Sequence, residues 1–291
     1  MAKLSRLPCP RLTLVTDLAR FRLSLPQLVE AAIAGGIDAI QIRAPELPPA
    51  ARRDLAETLL SVTFGRALLI INNEPALAVA LSVGLHQPER AAEPPPEHLR
   101  FVSRAVHTPS AAAAADQYDA IIAGHIFVSA SKRGQTPIGL NGLQAIVKVS
   151  NSPVVAIGGI NEQNAGACIL AGAKGVAVIG SISEASDPCR AASRIRQAVD
   201  AALVECRRND ESERTLMSTD PTASTIPVAL NGKHEMVAES CTVLDVLTSK
   251  SLRPELVAVE YNGEILPRDR FATTVLHADD QLEIVHFVGG G

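Results

Sequence analysis

Tryptophan is absent from this chain of 291 residues, and aromatic residues make up only 3% of it. Stacking platforms for single-stranded nucleic acid are therefore not expected. An excess of either charge is also missing. Lys and Arg total 27 against 31 Asp and Glu, a net charge of -4, which gives no long-range pull on a polyanion. No apolar run reaches the ~18 residues needed to span a bilayer. The start, MAKLSRLPCPRL, lacks the apolar segment of a secretory signal. Cysteines number five, an odd count, and no pair is spaced C-x-x-C, so neither a disulfide framework nor a zinc site is suggested. These absences predict reduced thiols, no nucleic-acid or membrane partner, and a cytoplasmic location. The core has to be built from Ala, Val, Leu and Ile.

Short apolar, β-rich runs recur from residue 12 to about 182: LTLVTD, AIQIRA, ALLIINN, SVGLHQ, FVSRAVH, AIIAGHIF, PVVAIGGI and GVAVIGSI. Most gaps between them are Ala- and Leu-rich with helical spacing, as in LPQLVEAAIAGG and NAGACILAGA. The gap from Asn73 to Ser82 has room for only about two helical turns. Near-continuous apolar strands alternating with helices indicate a parallel sheet covered on its outer face. Eight such units predict an α/β fold, a closed (β/α)8 TIM barrel at the small end of its size range. The rival is an open doubly wound sheet; no early G-x-G-x-x-G supports it.

After RAASRIRQAVDAALVECRR the character changes. NDESERTLMSTDPTASTIP is rich in Ser, Thr, Asp and Glu without apolar period and reads as a linker. VALNGKHEMV then places Asn231-Gly232 between two apolar runs, a strong hairpin signal. TVLDVLTSK follows at helical spacing with Thr242 as N-cap candidate. LVAVEYNGEIL, with its own turn at Asn262-Gly263, and DQLEIVHFV complete a strand–strand–helix–strand–strand module. The predicted boundaries are a barrel at 1–206, a linker at 207–225 and a small α+β domain at 226–291.

Barrel active sites form at the carboxyl ends of the strands, and phosphate tends to sit after strands seven and eight. The seventh run ends in AIGGI, with a helix expected from Asn161; the N–H groups of Gly158 and Gly159 can approach an anion with no Cβ in the way. The eighth ends in VIGSI, where Gly180 and Ser181 offer amides and a hydroxyl. A glycine pair at a strand end can equally be only a tight turn. His125 stands near the end of the sixth run, in AGHIFVSASKRG, with Lys132 beyond it. Imidazole there is either a satisfied core group or a proton carrier. The chain closes on EIVHFVGGG. Three glycines can be a frayed end, or a backbone thin enough to thread a narrow active site.

Residues 226–291 resemble the ubiquitin-like β-grasp, and in particular the ThiS sulfur carriers of thiamine biosynthesis, through LNGK, VAVEYNGEILPRDRF, ADDQLEIVHFVGGG and the final Gly290-Gly291. That resemblance implies that an ATP-dependent adenylyltransferase activates the terminal carboxylate, which becomes a thiocarboxylate and feeds thiazole synthase. Residues 11–203 resemble the thiamine-phosphate-synthase/TenI superfamily, through AIQIR, LIINN, GLHQ, AGHIFVSASK, PVVAIGGI and GVAVIGSI. In the synthase branch, carboxylates after strands three and four hold Mg²⁺. Here Asn73 and the stretch HQPERA stand at those places, Glu74 and Glu89 fall off the motif, and Pro45 replaces a lysine beyond Arg43. In the TenI branch a GH-F motif carries a proton-transfer histidine, matched by Gly124-His125-Ile126-Phe127. At strand five a serine of that branch is Ala105 here, followed by Val106 and His107.

The resemblance implies a metal-free thiazole tautomerase acting on a thiazole phosphate carboxylate. His125 is its implied proton shuttle and His107 a helper; Gly158, Gly159, Gly180, Ser181 and Lys132 grip the phosphate, and Gln41 and Arg43 meet the carboxylate or ring. Two alternatives stay open: a Mg²⁺-dependent thiamine phosphate synthase, and an inactive barrel serving as scaffold. A homo-oligomer is neither required nor excluded.

Overall fold

The computed structural model describes residues 7–20, 22–91, 94, 96, 98–129, 134–218, 225–250, 252, 254 and 257–286. The chain divides into two compact units, Met1–Arg208 and Asn209–Gly291.

In the first unit eight parallel strands close on themselves: β1 (Leu12–Val15), β2 (Ala39–Ile42), β3 (Leu68–Asn72), β4 (Gly84–Gln87), β5 (Val102–Val106), β6 (Ala120–Gly124), β7 (Val154–Ile157) and β8 (Gly175–Val178). Each of the eight apolar runs supplies one strand. Closure is direct, since β1 pairs with β8 as well as β2, and it excludes the open-sheet rival. Helices α1 (Leu25–Ala34), α2 (Pro49–Thr63), α3 (Pro75–Leu81), α4 (Pro109–Ala113), α5 (Gly139–Val149), α6 (Ala165–Leu170), α7 (Gly180–Ser183) and α8 (Pro188–Ser218) occupy the connections. The two periodicities fit together simply. Alternate strand residues such as Leu14, Ile40, Leu69, Leu85 and Ile121 are fully or almost fully buried under Leu28, Leu59 and Leu143 of the helices.

The residues of opposite parity fill the barrel. Val15, Ala39, Ile70, Phe101, Ala120, Ile122, Val155 and Ala177 form a separate inner cluster. Gly84 packs tightly there: a Cβ on it would stand 3.1 Å from Ile70 and touch the Phe101 ring at 3.5 Å. At the amino end of the strands, Asp38 accepts the backbone N–H groups of Arg11 (2.8 Å) and Leu12 (3.1 Å) and one from the Arg196 guanidinium (2.7 Å). It thereby ties β1 and the β2 entrance to α8.

Two sequence expectations are corrected here. The helix expected from Asn161 begins at Ala165. Asn164 Oδ1 accepts the Asn161 N–H at 2.8 Å and Asn161 Oδ1 accepts the Gln163 N–H at 2.8 Å. These side chains hold a turn where the helix was expected. Composition also placed a linker from 207, whereas α8 continues through Ser218.

The second unit is a five-stranded mixed sheet in the order β10-β9-β13-β11-β12, crossed by α9 (Val243–Ser249). Its strands are β9 (Thr225–Leu230), β10 (Lys233–Ala238), β11 (Val257–Tyr261), β12 (Glu264–Leu266) and β13 (Gln281–His286). Three strands follow the helix where two were expected, because the Asn262-Gly263 turn folds back a three-residue strand, β12. Both Asn-Gly pairs adopt positive φ, 46° and 74° at the first and 52° and 86° at the second, as such hairpin turns require. Thr242 caps α9, its hydroxyl accepting the Asp245 N–H at 3.2 Å while Asp245 accepts the Thr242 N–H at 2.9 Å. The core gathers Val228, Leu230, Val246, Leu247, Val257, Val259, Phe271, Leu276 and Leu282. Gly290 and Gly291 lie outside the described residues.

Candidate functional site

The barrel opens at the carboxyl ends of its strands into a cavity of about 610 Å³. Gln41, Arg43, His107, His125, Gly158, Gly159, Gly180 and Ser181 all line it. The fold thus gathers eight sequence-predicted residues that are up to 140 positions apart (41 to 181) around one space. Lys132 lies outside the described residues.

His125 follows β6 and is 9% exposed. Its Nε2 stands 3.3 Å from the Gln135 carbonyl. A carbonyl only accepts, so the neutral ring carries its proton on Nε2 and keeps Nδ1 as the basic nitrogen. Gly158 makes this placement feasible: with φ 106°, a Cβ on it would lie 2.4 Å from the His125 Cβ. Gly159, φ 66°, would put a Cβ 2.4 Å from the Val128 carbonyl oxygen. Packing against the strand-six loop alone therefore demands both glycines. Their amides are additionally at the cavity wall. Gly180 and Ser181 open α7, where the first N–H groups lack an intrahelical acceptor. The Ser181 hydroxyl, expected to face an anion, donates instead to the Ile160 carbonyl.

His107 sits at the rim with its side chain half exposed and Nδ1 on the Glu89 carboxylate. Arg104 braces the same loop, donating to the Glu89 and Ala91 carbonyls and, at 2.6 Å, to the Tyr118 hydroxyl. Arg43 holds its backbone against Thr16, whose hydroxyl accepts the Arg43 N–H at 2.9 Å, and projects its side chain to the cavity mouth.

Several lining residues escaped the sequence reading, Asn72, His86, Arg20 and Glu184 among them. Asn72 accepts from Gln41 Nε2 at 3.1 Å, leaving Gln41 Oε1 buried without a partner among the described residues. His86 is paired in register with Asn72 on one side and Ser103 on the other, and its Nδ1 lies 2.9 Å from Ser103 Oγ. Burial pushes its imidazole down to about 4, so the ring is neutral at physiological pH. Arg20 reaches Asp17 at 3.1 Å and Glu184 at 3.2 Å. Parity would have found His86, since it shares the inward face of β4 with Gly84; no local pattern marks Arg20 and Glu184 as neighbours. The thiols of Cys9, which is partly buried, and Cys168 offer no nucleophile, because desolvation raises both to about 12.

Mg²⁺ demands hard anionic oxygens in an octahedral shell. Among the described residues, three carboxylates near this mouth are already engaged: Glu74 by Arg52, Glu184 by Arg20, and Glu89 by His107 Nδ1. The amides of Asn72 and Asn73 stand at the end of β3, beside a smaller cavity of about 220 Å³. Among the described residues no three His, Cys, Asp or Glu side chains cluster as metal ligands. The donor set of the described residues does not fit Mg²⁺.

A closed (β/α)8 barrel with a polar, glycine-walled mouth, followed by a β-grasp-like sheet, defines a barrel enzyme joined to a carrier-type module. The family model for thiamine monophosphate synthase matches residues 12–182, and the ThiS family model matches residues 224–291. The chain belongs to the thiamine monophosphate synthase family and carries a ThiS-family domain at its C-terminal side, which places it in thiamine biosynthesis. It is 37% identical over 186 residues to the thiamine-phosphate synthase of Moorella thermoacetica, covering 60% of this chain and 89% of that one. With the thiamine-phosphate synthase of Mycobacterium tuberculosis it shares 36% identity over 221 residues, 68% of this chain and 98% of the other. Among solved structures, thiamine phosphate pyrophosphorylase from Pyrococcus furiosus aligns at 28% identity with a TM-score of 0.59, over 66% of this chain and 96% of that one. The Moorella and Mycobacterium relatives bear the synthase name, the alternative of the sequence reading. No helix among the described residues is long and apolar enough to cross a membrane.

Proposed function

We propose that the barrel takes a thiazole phosphate carboxylate and aromatises it by proton transfer, without a metal. The observation that carries this is one cavity that holds a buried histidine whose Nδ1 is left basic, while the carboxylate lining that cavity, Glu184, is engaged by Arg20. His125 Nδ1 removes the proton from the sp³ ring carbon; the C–H electron pair enters the conjugated system, and the same proton returns to the exocyclic carbon. Nothing is oxidised and nothing leaves. The amides of Gly158, Gly159, Gly180 and Ser181, with Lys132 from the following loop, hold the phosphate. Arg43 and Gln41 meet the carboxylate and ring. His107, tied to Glu89, orders the rim. In the same reading, the ThiS-family domain offers Gly290-Gly291 to an ATP-consuming adenylyltransferase and then, as a thiocarboxylate, to thiazole synthase.

A second reading is favoured by kinship. The Moorella and Mycobacterium relatives are named thiamine-phosphate synthase, so joining a pyrimidine pyrophosphate to the thiazole phosphate has the stronger support from the comparisons. The donor set of the described residues around the mouth speaks against its Mg²⁺.

One experiment separates the two. The purified chain is given the non-aromatic thiazole carboxylate phosphate alone, then the aromatic thiazole phosphate with pyrimidine pyrophosphate and Mg²⁺. Aromatisation is followed by ultraviolet absorbance, coupling by pyrophosphate release. The proposal expects aromatisation that survives chelation and falls about 10²–10⁴-fold in His125→Ala. Coupling without aromatisation would replace it by the synthase reading. For the carrier, incubation with adenylating enzyme, ATP and a sulfur donor is expected to exchange one oxygen for sulfur in the intact mass.

A further inference from the structure

The proton balance of the barrel cavity leaves one buried group without a task. His86 sits on the inner face of β4, 8% exposed, beside Asn72 of β3 and Ser103 of β5. Its Nδ1 lies 2.9 Å from Ser103 Oγ. Ser103 is 1% exposed, and its hydroxyl has no other partner among the described residues. A serine hydroxyl carries one hydrogen that must find an acceptor when buried. Were Nδ1–H the donor, the serine's own hydrogen would be stranded. Ser103 therefore donates, Nδ1 accepts, and the hydrogen of the neutral ring resides on Nε2. That nitrogen has no protein partner among the described residues, and it is not among their fully enclosed unpartnered atoms. His86 lines the cavity. Its one remaining N–H is thus available to whatever the cavity holds.

We propose that His86 is a further catalytic residue of the barrel, a fixed hydrogen-bond donor whose Nε2–H meets the substrate heteroatom that gains negative charge when His125 takes the carbon-bound proton. This rests on the proton-transfer reading above. The two histidines divide the work by their fixed tautomers. His125 presents a bare nitrogen and moves the proton; His86 presents an N–H and keeps its own. A neutral imidazole is the better partner for a transient anion, because a full cation would surrender its proton to it. Ser103 acts through His86 and is a positioning residue.

Two variants separate this role from packing. In His86→Asn the amide oxygen takes the place of Nδ1, still accepts from Ser103, and the cavity-facing donor is removed. In His86→Gln the amide nitrogen reaches the place of Nε2 and restores an N–H there. The expected result is a fall in kcat of about 10²-fold for His86→Asn, typical of losing one preorganised donor, with KM for the thiazole phosphate changed little. His86→Gln regains at least tenfold of that loss. ¹⁵N spectra of the histidine-labelled full-length wild type near neutral pH read the tautomer without turnover and are expected to show His86 as the Nε2–H form.

Equal losses in both variants, or an Nδ1–H or imidazolium ring, overturn the assignment while leaving His125 and the tautomerase reading intact. A wild type that couples substrates but does not aromatise overturns the tautomerase reading and this assignment with it, and is recognised before any variant is made.

Discussion

Lowering the pH from neutral to about 4 should cost the barrel stability through a single side chain, His86. Burial holds the folded imidazole near 4, against 6.5 for an ordinary histidine. Between those values the unfolded chain binds a proton that the folded barrel refuses. The unfolded state is favoured there, so stability is intact above about 6.5 and is lost progressively as the pH falls toward 4. At 1.36 kcal/mol per pH unit, the gap amounts to about 3 kcal/mol. For a domain whose whole stability is about 5–15 kcal/mol, that is a large share. The assay is denaturant unfolding at a series of pH values, followed by helical circular dichroism, which the barrel helices dominate. Wild type is compared with His86→Gln, whose amide does not titrate. Carboxylates titrate in both proteins and cancel in the difference. The wild-type curve should fall below the variant's by about 3 kcal/mol across the window relative to their offset at neutral pH. Parallel curves would show that His86 is not the acid-labile group and that its ring is more hydrated than its burial implies.

Gly158→Ala would force a Cβ to within 2.4 Å of the His125 Cβ at φ 106°; the expected outcome is at least about a tenfold loss of kcat/KM from a displaced imidazole, measured in the aromatisation assay. Asp38→Ala removes the acceptor of two backbone N–H groups and one guanidinium contact; unfolding should become easier by about 2 kcal/mol, with kcat unchanged because the residue lies at the opposite end of the barrel. In the carrier module, Asp280 accepts from the Tyr261 hydroxyl (2.7 Å), the Asn262 amide (2.8 Å) and the His277 N–H (2.8 Å). Burial alone would raise its carboxyl, but these hydrogen bonds bring it below the ordinary carboxylate value. The stabilisation is therefore present above that value and fades as the pH falls through it. Asp280→Ala should lower the thermal transition of the ThiS-family domain at neutral pH, read by calorimetry, and leave barrel activity untouched.

The order of elements was determined by the sequence alone. Strand and helix periodicities are local, so LTLVTD through GVAVIGSI could be read one run at a time, and each became a strand. The Asn-Gly turns and the Thr242 cap are local too, since their hydrogen bonds and φ angles involve residues two or three apart. Local chemistry also misled where it competed with itself. Asn161 looked like a helix start, but its side chain and that of Asn164 satisfy the backbone in a turn, and α6 waits until Ala165. The three-residue β12 has too few positions to show a period.

Tertiary structure decided what each polar side chain does. Arg20 meets Glu184 across 164 positions and Arg196 meets Asp38 across 158, and no sequence spacing foretells either pair. The glycines at 158 and 159 looked like a gap left for an anion; closure of the barrel shows that they first make room for His125 and Val128. His86 was one residue of an unremarked strand until closure set it between Asn72 and Ser103 on the inner wall. The physical reason is common to all three. Backbone conformation is governed by near neighbours, whereas burial, charge state and the direction of a hydrogen bond are governed by whatever the closed sheet brings alongside.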